Sequence, residues 1–259
     1  MYGICNLSLV PCRRSPSDRS EMVTQLLFGE TFEIIEEQKK WVKIKNSFDN
    51  YISWIDKKQY QPLTQKTYNT ILKEPIHLSS DLVRPLILSL TGNALPIVMG
   101  SQLHSLKGTE FKIDNVRYEY DGPTVKVIPE KKIRAAIIQN AYLYLNAPYL
   151  WGGRSPFGID CSGFTQMTFK LSGINILRDA SQQAKEGQAI DFIDEARPGD
   201  LAFFDNDAGK IIHVGILLGN NQIIHASGKV RVDKFDHYGI YNEEKNEYSH
   251  QLRIIKSFV

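Results

Sequence analysis

The chain has 259 residues, 42% of them hydrophobic and 23% charged, a length and composition that suit two or three globular domains. A formal net charge of +2 and no basic stripe with interleaved aromatics exclude an argument for nucleic acid as partner. No run of 18 apolar residues occurs, so no membrane insertion is expected, and three scattered cysteines make no disulfide framework, which suits a soluble protein in a reducing compartment.

Residues 1–12, MYGICNLSLVPC, lack a basic n-region, and Asn6, Ser8 and Pro11 break the apolar stretch, so this is a poor signal peptide. With Met1 native the expected compartment is the cytoplasm; with a signal peptide already removed it is the periplasm or the exterior. From Met22–Phe28 through Thr31–Glu36, Lys40–Lys45 and Asn50–Asp56, short runs alternate around turns, the pattern of a small β-barrel over residues 1–60 with Trp41 and Trp54 in its core. Residues 61–130 read as a second β-rich domain with strands near Leu86–Leu90, Ala94–Met99, Thr109–Ile113, Val116–Tyr120 and Thr124–Ile128. His77 and His104 have no motif around them and read as surface or loop residues. Pro129-Glu130 marks the boundary to a third domain, 131–259, which opens with a helix over Lys132–Leu145 buried on a broad face.

The stretch Tyr149–Gly173, YLWGGRSPFGIDCSGFTQMTFKLSG, sets turn signals directly against an amphipathic run. Asp160 or Ser162 can cap the helix and Gly173 can stop it. Cys161 then sits at a helix N-terminus, where unpaired N–H groups favour a thiolate and lower the thiol pKa. Alone it could equally be a small buried hydrophobe. A base is available downstream: Lys210–Leu218 and Gln222–Ala226 form a hairpin around Gly219-Asn220-Asn221. His213 and His225 fall opposite or nearly opposite each other, within mutual reach. The chemical reading is Cys161 as nucleophile, His213 as general base and His225 as the group that orients His213.

The motifs DCSGF (160–164), RPGDLAFF (197–204), HVGI (213–216) and HAS (225–227) resemble the NlpC/P60 cysteine peptidases over about residues 133–259. The run LLFGE, WVKIK, NYISWI likewise resembles a bacterial SH3 (SH3b) domain, although Ser53 stands where a glycine usually precedes the tryptophan. The resemblance implies an α+β chain: a papain-like catalytic domain, with helices packed on an antiparallel sheet, preceded by small SH3b-like barrels. It implies the triad Cys161, His213 and His225, no cofactor and no metal. It further implies peptidoglycan-derived peptides as partners, with hydrolysis between γ-D-glutamate and a diamino acid, either meso-diaminopimelate or L-lysine. By the same likeness Asp160, Tyr149 and Trp151 contact a free L-Ala–γ-D-Glu end, aided by Ser162, by Asp179 and Ser181 of RDAS, and by Tyr51 and Glu30 projecting from the barrel. From position alone Asp160 could as well be a helix cap, and Tyr149 and Trp151 could be core.

Other readings stand beside this one. The Cys161, His213 and His225 set could ligate zinc, although no metal-knuckle spacing or fourth ligand accompanies it. The chain could be a non-catalytic SH3b protein that binds wall peptides, a lipid acyltransferase, or an endopeptidase on intact peptidoglycan.

Overall fold

The computed structural model describes residues 1–125 and 130–259 and divides into two compact units, Met1–Lys126 and Val127–Val259. The end of the expected strand Thr124–Ile128, and Pro129 at the expected boundary, lie outside the described residues.

In the first unit, strands β1 (Tyr2–Ile4), β2 (Leu9–Arg13), β3 (Met22–Leu27), β4 (Thr31–Glu37), β5 (Trp41–Asn46), β6 (Ile52–Asp56) and β7 (Gln61–Leu63) form one sheet. Its order is β3-β2-β6-β5-β4-β1-β7. Alternation puts Val10, Cys12, Phe32, Ile34, Val42, Ile44 and Ile55 on the inner side, where they pack as one cluster with Cys5 and Leu26. Trp41 and Trp54, expected in this core, are buried, but they alternate with Val42 and Ile55 and lie outside the cluster. A short helix, α1 (Gln65–Ile71), follows, capped by Thr64. Next come β8 (Ile76–Leu78), β9 (Val83–Leu88), β10 (Ala94–Val98), β11 (Gln102–His104), β12 (Glu110–Ile113) and β13 (Val116–Glu119). They pair as a four-stranded sheet, β10-β9-β13-β12, and a two-stranded one, β11-β8.

Residues 61–125 share a core with the first barrel: Ile4 and Phe28 cluster with Leu63, Ile71, Leu86, Ile97, Leu103, Phe111 and Tyr118. The expected boundary near residue 60 is therefore bridged by apolar packing. The surface or loop assignment of His104 needs correction, while His77 is partly exposed. Both lie on paired strands, and His104 is buried with Nε2 2.7 Å from the Gly29 carbonyl oxygen. A buried imidazole needs such a partner, and no sequence pattern announced it.

The second unit begins with α2 (Ile133–Tyr142). Ile137 and Ala141 are its buried residues, and Tyr144 just beyond it is buried too. Tyr142, Leu143 and Leu145 are exposed, so the helix is shorter than expected and its buried face narrower. A two-residue hairpin, β14 (Arg154–Ser155) and β15 (Gly158–Ile159), leads into α3 (Cys161–Leu171) and the short α4 (Ala180–Gln183). The remaining strands are β16 (Gln188–Ile190), β17 (Leu201–Asp205), β18 (Ile211–Gly219), β19 (Gln222–Ser227), β20 (Lys229–Phe235), β21 (Gly239–Asn242) and β22 (Glu247–Ser257). Their order is β16-β22-β17-β18-β19-β20-β21, and an additional β21–β22 pairing curls six of them into a closed ring. Every residue of α3 is buried, and the helix packs against β18 and β19, which brings its N-terminus to the strands that carry the histidines.

Candidate active site

Helix α3 begins where it does because Asp160 caps it. Its Oδ1 accepts the Gly163 N–H at 2.6 Å, and its Oδ2 accepts the Gly152 N–H at 2.8 Å, which ties the preceding loop to the helix start. The guanidinium of Arg178 closes the pair, with Nη1 3.0 Å from Oδ1 and Nη2 2.6 Å from Oδ2 of Asp160. Nη1 also donates to Ser162 Oγ at 2.9 Å. Gln183 adds a second brace, donating to the Ser162 carbonyl at 3.0 Å and the Leu177 carbonyl at 2.8 Å. Gly163 is required at its position, since a Cβ there would stand 2.3 Å from the Gly153 carbonyl oxygen.

Cys161 opens α3, and its sulfur is hydrogen-bonded by the backbone of Val214 and of Ser162. The thiol therefore lies beside β18, next to the residue that follows His213. The expected lowering of its pKa does not occur. Burial, followed by the Asp160 carboxylate, pushes the thiol up to about 12 despite the helix start and Arg178. The resting group is a neutral thiol, and the N–H of Gly163 is spent on Asp160 rather than on sulfur.

The hairpin turn is made by Asn220 and Asn221, both at positive φ, with a bulge between Leu217 and Gly219. That register sets Gly215, not His213, opposite His225. The two histidines are diagonal neighbours on one face, and the contact forms because Gly215 offers no side chain. A Cβ there would meet the Cβ of His225 at 2.9 Å. His213 Nε2 and His225 Nδ1 are 2.8 Å apart, and His225 Nε2 is 2.9 Å from Asp233 Oδ2. Burial, then the neighbouring His225 and His250, hold the His213 pKa well below its ordinary value, so the ring is neutral at pH 7. With Nε2 engaged by His225, Nδ1 is the nitrogen left for a proton from Cys161. His250 on β22 stacks on His213 at 4.1 Å between ring centroids, and burial lowers its own pKa to about 4.

A thiol at a helix start beside a neutral imidazole suits general-base delivery of a sulfur nucleophile. Comparison with known proteins agrees. The model of the NlpC/P60 family matches residues 146–251, and that of the bacterial dipeptidyl-peptidase Sh3 domain matches residues 12–59. The chain is 34% identical over 215 residues to the gamma-D-glutamyl-L-lysine dipeptidyl-peptidase of Bacillus subtilis, covering 78% of this chain and 71% of the relative.

The chain belongs to the NlpC/P60 family.

It is a cysteine peptidase with an SH3-like N-terminal domain. It is also 29% identical over 245 residues to dipeptidyl-peptidase 6 of Lysinibacillus sphaericus, covering 85% of this chain and 87% of the relative. Its fold is that of an NlpC/P60 family protein from Bacillus cereus, with a TM-score of 0.84 at 19% identity over 100% of this chain and 99% of that one.

In this NlpC/P60 peptidase Tyr149 lies close enough to Cys161 and Asp160 for both to raise its hydroxyl pKa, after burial itself. Neither Tyr149 nor Trp151 is core: the first is half-buried and the second exposed. Asp160 is chiefly a cap and an ion-pair partner, because its oxygens already accept from Gly163, Gly152 and Arg178. Ser162 is buried in the same network, with Oγ 3.4 Å from Asp160 Oδ1. Asp179 N-caps α4 in a capping box with Gln182, and Ser181 lies in the first turn of that helix.

Glu30, in the first unit, is expected to project from the barrel. Its side chain is fully buried, and one carboxylate oxygen accepts the Leu27 N–H at 3.1 Å. Tyr51 is half-buried just before β6, its N–H held by Asp49 Oδ1 at 3.0 Å. Sequence reading missed Arg178, Gln183, Asp233 and His250. Arg178 and Asp233 each lie within a few residues of a recognised motif, but only the fold shows that they point at it.

Proposed function

We propose that this enzyme hydrolyses the bond between γ-D-glutamate and a diamino acid in peptidoglycan-derived peptides with a free N-terminal L-Ala, releasing L-Ala–γ-D-Glu in cell-wall turnover or recycling. The observation that carries the reading is the Cys161 thiol at the head of α3, held by the backbone of Val214 on the strand where a neutral His213 is the preceding residue. The names of the two relatives, which both describe dipeptidyl-peptidases, supply the substrate class.

In the reaction His213 Nδ1 takes the thiol proton as sulfur attacks the γ-glutamyl carbonyl carbon. The N–H of Cys161 donates to the developing oxyanion. The imidazolium returns that proton to the leaving amine of the diamino acid, and water then hydrolyses the thioester with His213 again as base. Tyr149 and the exposed Trp151 line the approach to the thiol. With the Asp160 oxygens in use, the substrate ammonium falls to the Tyr149 hydroxyl and to Asp179 and Ser181, which follow Arg178 at the same end of α3.

The test is mass spectrometry of products from L-Ala–γ-D-Glu–L-Lys, from the meso-diaminopimelate analogue, and from intact peptidoglycan. Release of L-Ala–γ-D-Glu from the free tripeptides supports the reading. Cleavage of intact wall with the tripeptides untouched overturns it in favour of a wall endopeptidase.

A further inference from the structure

Three polar side chains continue the catalytic pair across the sheet. His213 on β18, His225 on β19, and Arg231 and Asp233 on β20 share one face, because His225 pairs with Arg231 and Asp233 lies two residues on. The spacings are hydrogen bonds throughout: 2.8 Å from His213 Nε2 to His225 Nδ1, and 2.9 Å from His225 Nε2 to Asp233 Oδ2. Arg231 fixes the far end, with Nη2 2.8 Å from Asp233 Oδ1 and Nε 2.8 Å from Oδ2. Its Nη1 reaches Glu244 at 3.2 Å.

We infer that Asp233 is a positioning residue for catalysis: through His225 it dictates which nitrogen of His213 carries the proton. The inference rests on the reading of His213 as the base for Cys161. The logic is one of donors and acceptors. An ionised carboxylate can only accept, so His225 must present Nε2–H to Asp233. With its one proton at Nε2, the His225 ring offers only a lone pair at Nδ1, so His213 must present Nε2–H to it. His213 Nδ1 is left unprotonated, which is the state a general base needs.

With the chain of donors reversed, Nδ1 of His213 would carry a proton and could not accept the one on sulfur. Burial works against an ionised Asp233, but hydrogen bonds from His225 and Arg231 outweigh it and hold the carboxyl below its ordinary range. When His213 takes the thiol proton at Nδ1 it becomes an imidazolium with Nε2–H still on His225. No proton moves to His225 or Asp233.

The test is the tautomeric state of both rings in the full chain labelled with 15N-histidine, read from ring nitrogen shifts at pH 7, alongside kinetics of Asp233→Asn. The wild type is expected to show His213 and His225 both as Nε2–H. Asp233→Asn places an NH2 where two acceptors stood. It should shift the tautomer populations and lower kcat by roughly 10²-fold with KM little changed, less than the about 10⁴-fold seen when an amide replaces the carboxylate directly on a catalytic histidine. Asp233→Glu, which keeps an acceptor, should recover part of that loss.

A wild-type His213 protonated at Nδ1, or an Asp233→Asn enzyme with unchanged tautomers and kcat within twofold, overturns the inference. Should Asp233→Asn fail to fold, the wild-type tautomers alone decide. A wild-type enzyme inactive on every peptide would remove the proposed substrate while leaving the tautomer result standing.

Discussion

Replacing Arg178 with Met probes what holds the nucleophile in place. The Arg178 side chain is 1% exposed and that of Asp160 9%, so the pair is desolvated and its loss leaves a carboxylate uncompensated. Removing one partner of a buried ion pair costs about 3–5 kcal/mol. Here the Gly152 and Gly163 N–H groups still serve Asp160, which places the expected cost near the lower end, about 3–4 kcal/mol. For a unit of this size that is a fall in Tm of roughly 10–15 °C. The catalytic effect should be larger than the stability loss suggests, because Asp160 raises the Cys161 thiol and Arg178 offsets that influence. Differential scanning calorimetry of Arg178→Met, Asp160→Asn and the double variant gives the coupling. The double variant should recover at least about 1 kcal/mol of the summed losses. An Arg178→Met enzyme within 1 kcal/mol of wild type, with purely additive losses, would refute the reasoning.

Cys161→Ala should abolish hydrolysis with the Tm nearly unchanged; His213→Ala should be almost as damaging and His225→Ala less so, all read as kcat/KM on a free tripeptide. Alkylation of Cys161, followed by mass spectrometry against pH in the absence of substrate, should have its midpoint well above the free-thiol value of about 8.5, because burial and Asp160 raise the thiol; a midpoint at or below that value would contradict the neutral resting pair. His213 and His250 both bind protons more weakly folded than unfolded, so the stability tied to their neutral forms is complete above about pH 6.5 and is lost as pH falls, down to about 4 for His250. His250→Gln should flatten the Tm profile in that window, and an unchanged profile would show that His250 does not titrate there.

Much of this was readable from the chain because local chemistry and fold agree. The cap at Asp160, the start of α3 at Cys161 and the β18–β19 hairpin follow from turn residues and periodicity within a few positions of each other. What escaped depends on distance in sequence. Arg178 reaches Asp160 from the far side of α3, and Asp233 reaches His225 from the next strand. Arg178 stands in the RDAS run and Asp233 in no motif, and a single Arg or Asp in sequence is normally a solvated surface residue. The thiol pKa was misjudged because the helix terminus is visible in sequence whereas desolvation, the larger effect, is not. The helix at Gln65–Ile71 and the shared core around Phe28 were hidden for a similar reason: tertiary packing decides them, not periodicity over seven residues.

The most direct test of the proposed activity compares kcat/KM for L-Ala–γ-D-Glu–L-Lys with that for its N-acetylated form. An enzyme that measures its dipeptide from a free ammonium should lose about 2–5 kcal/mol on acetylation where that group is desolvated, a drop of roughly 30-fold or more in kcat/KM. Equal values on the two peptides would contradict the dipeptidyl-peptidase reading.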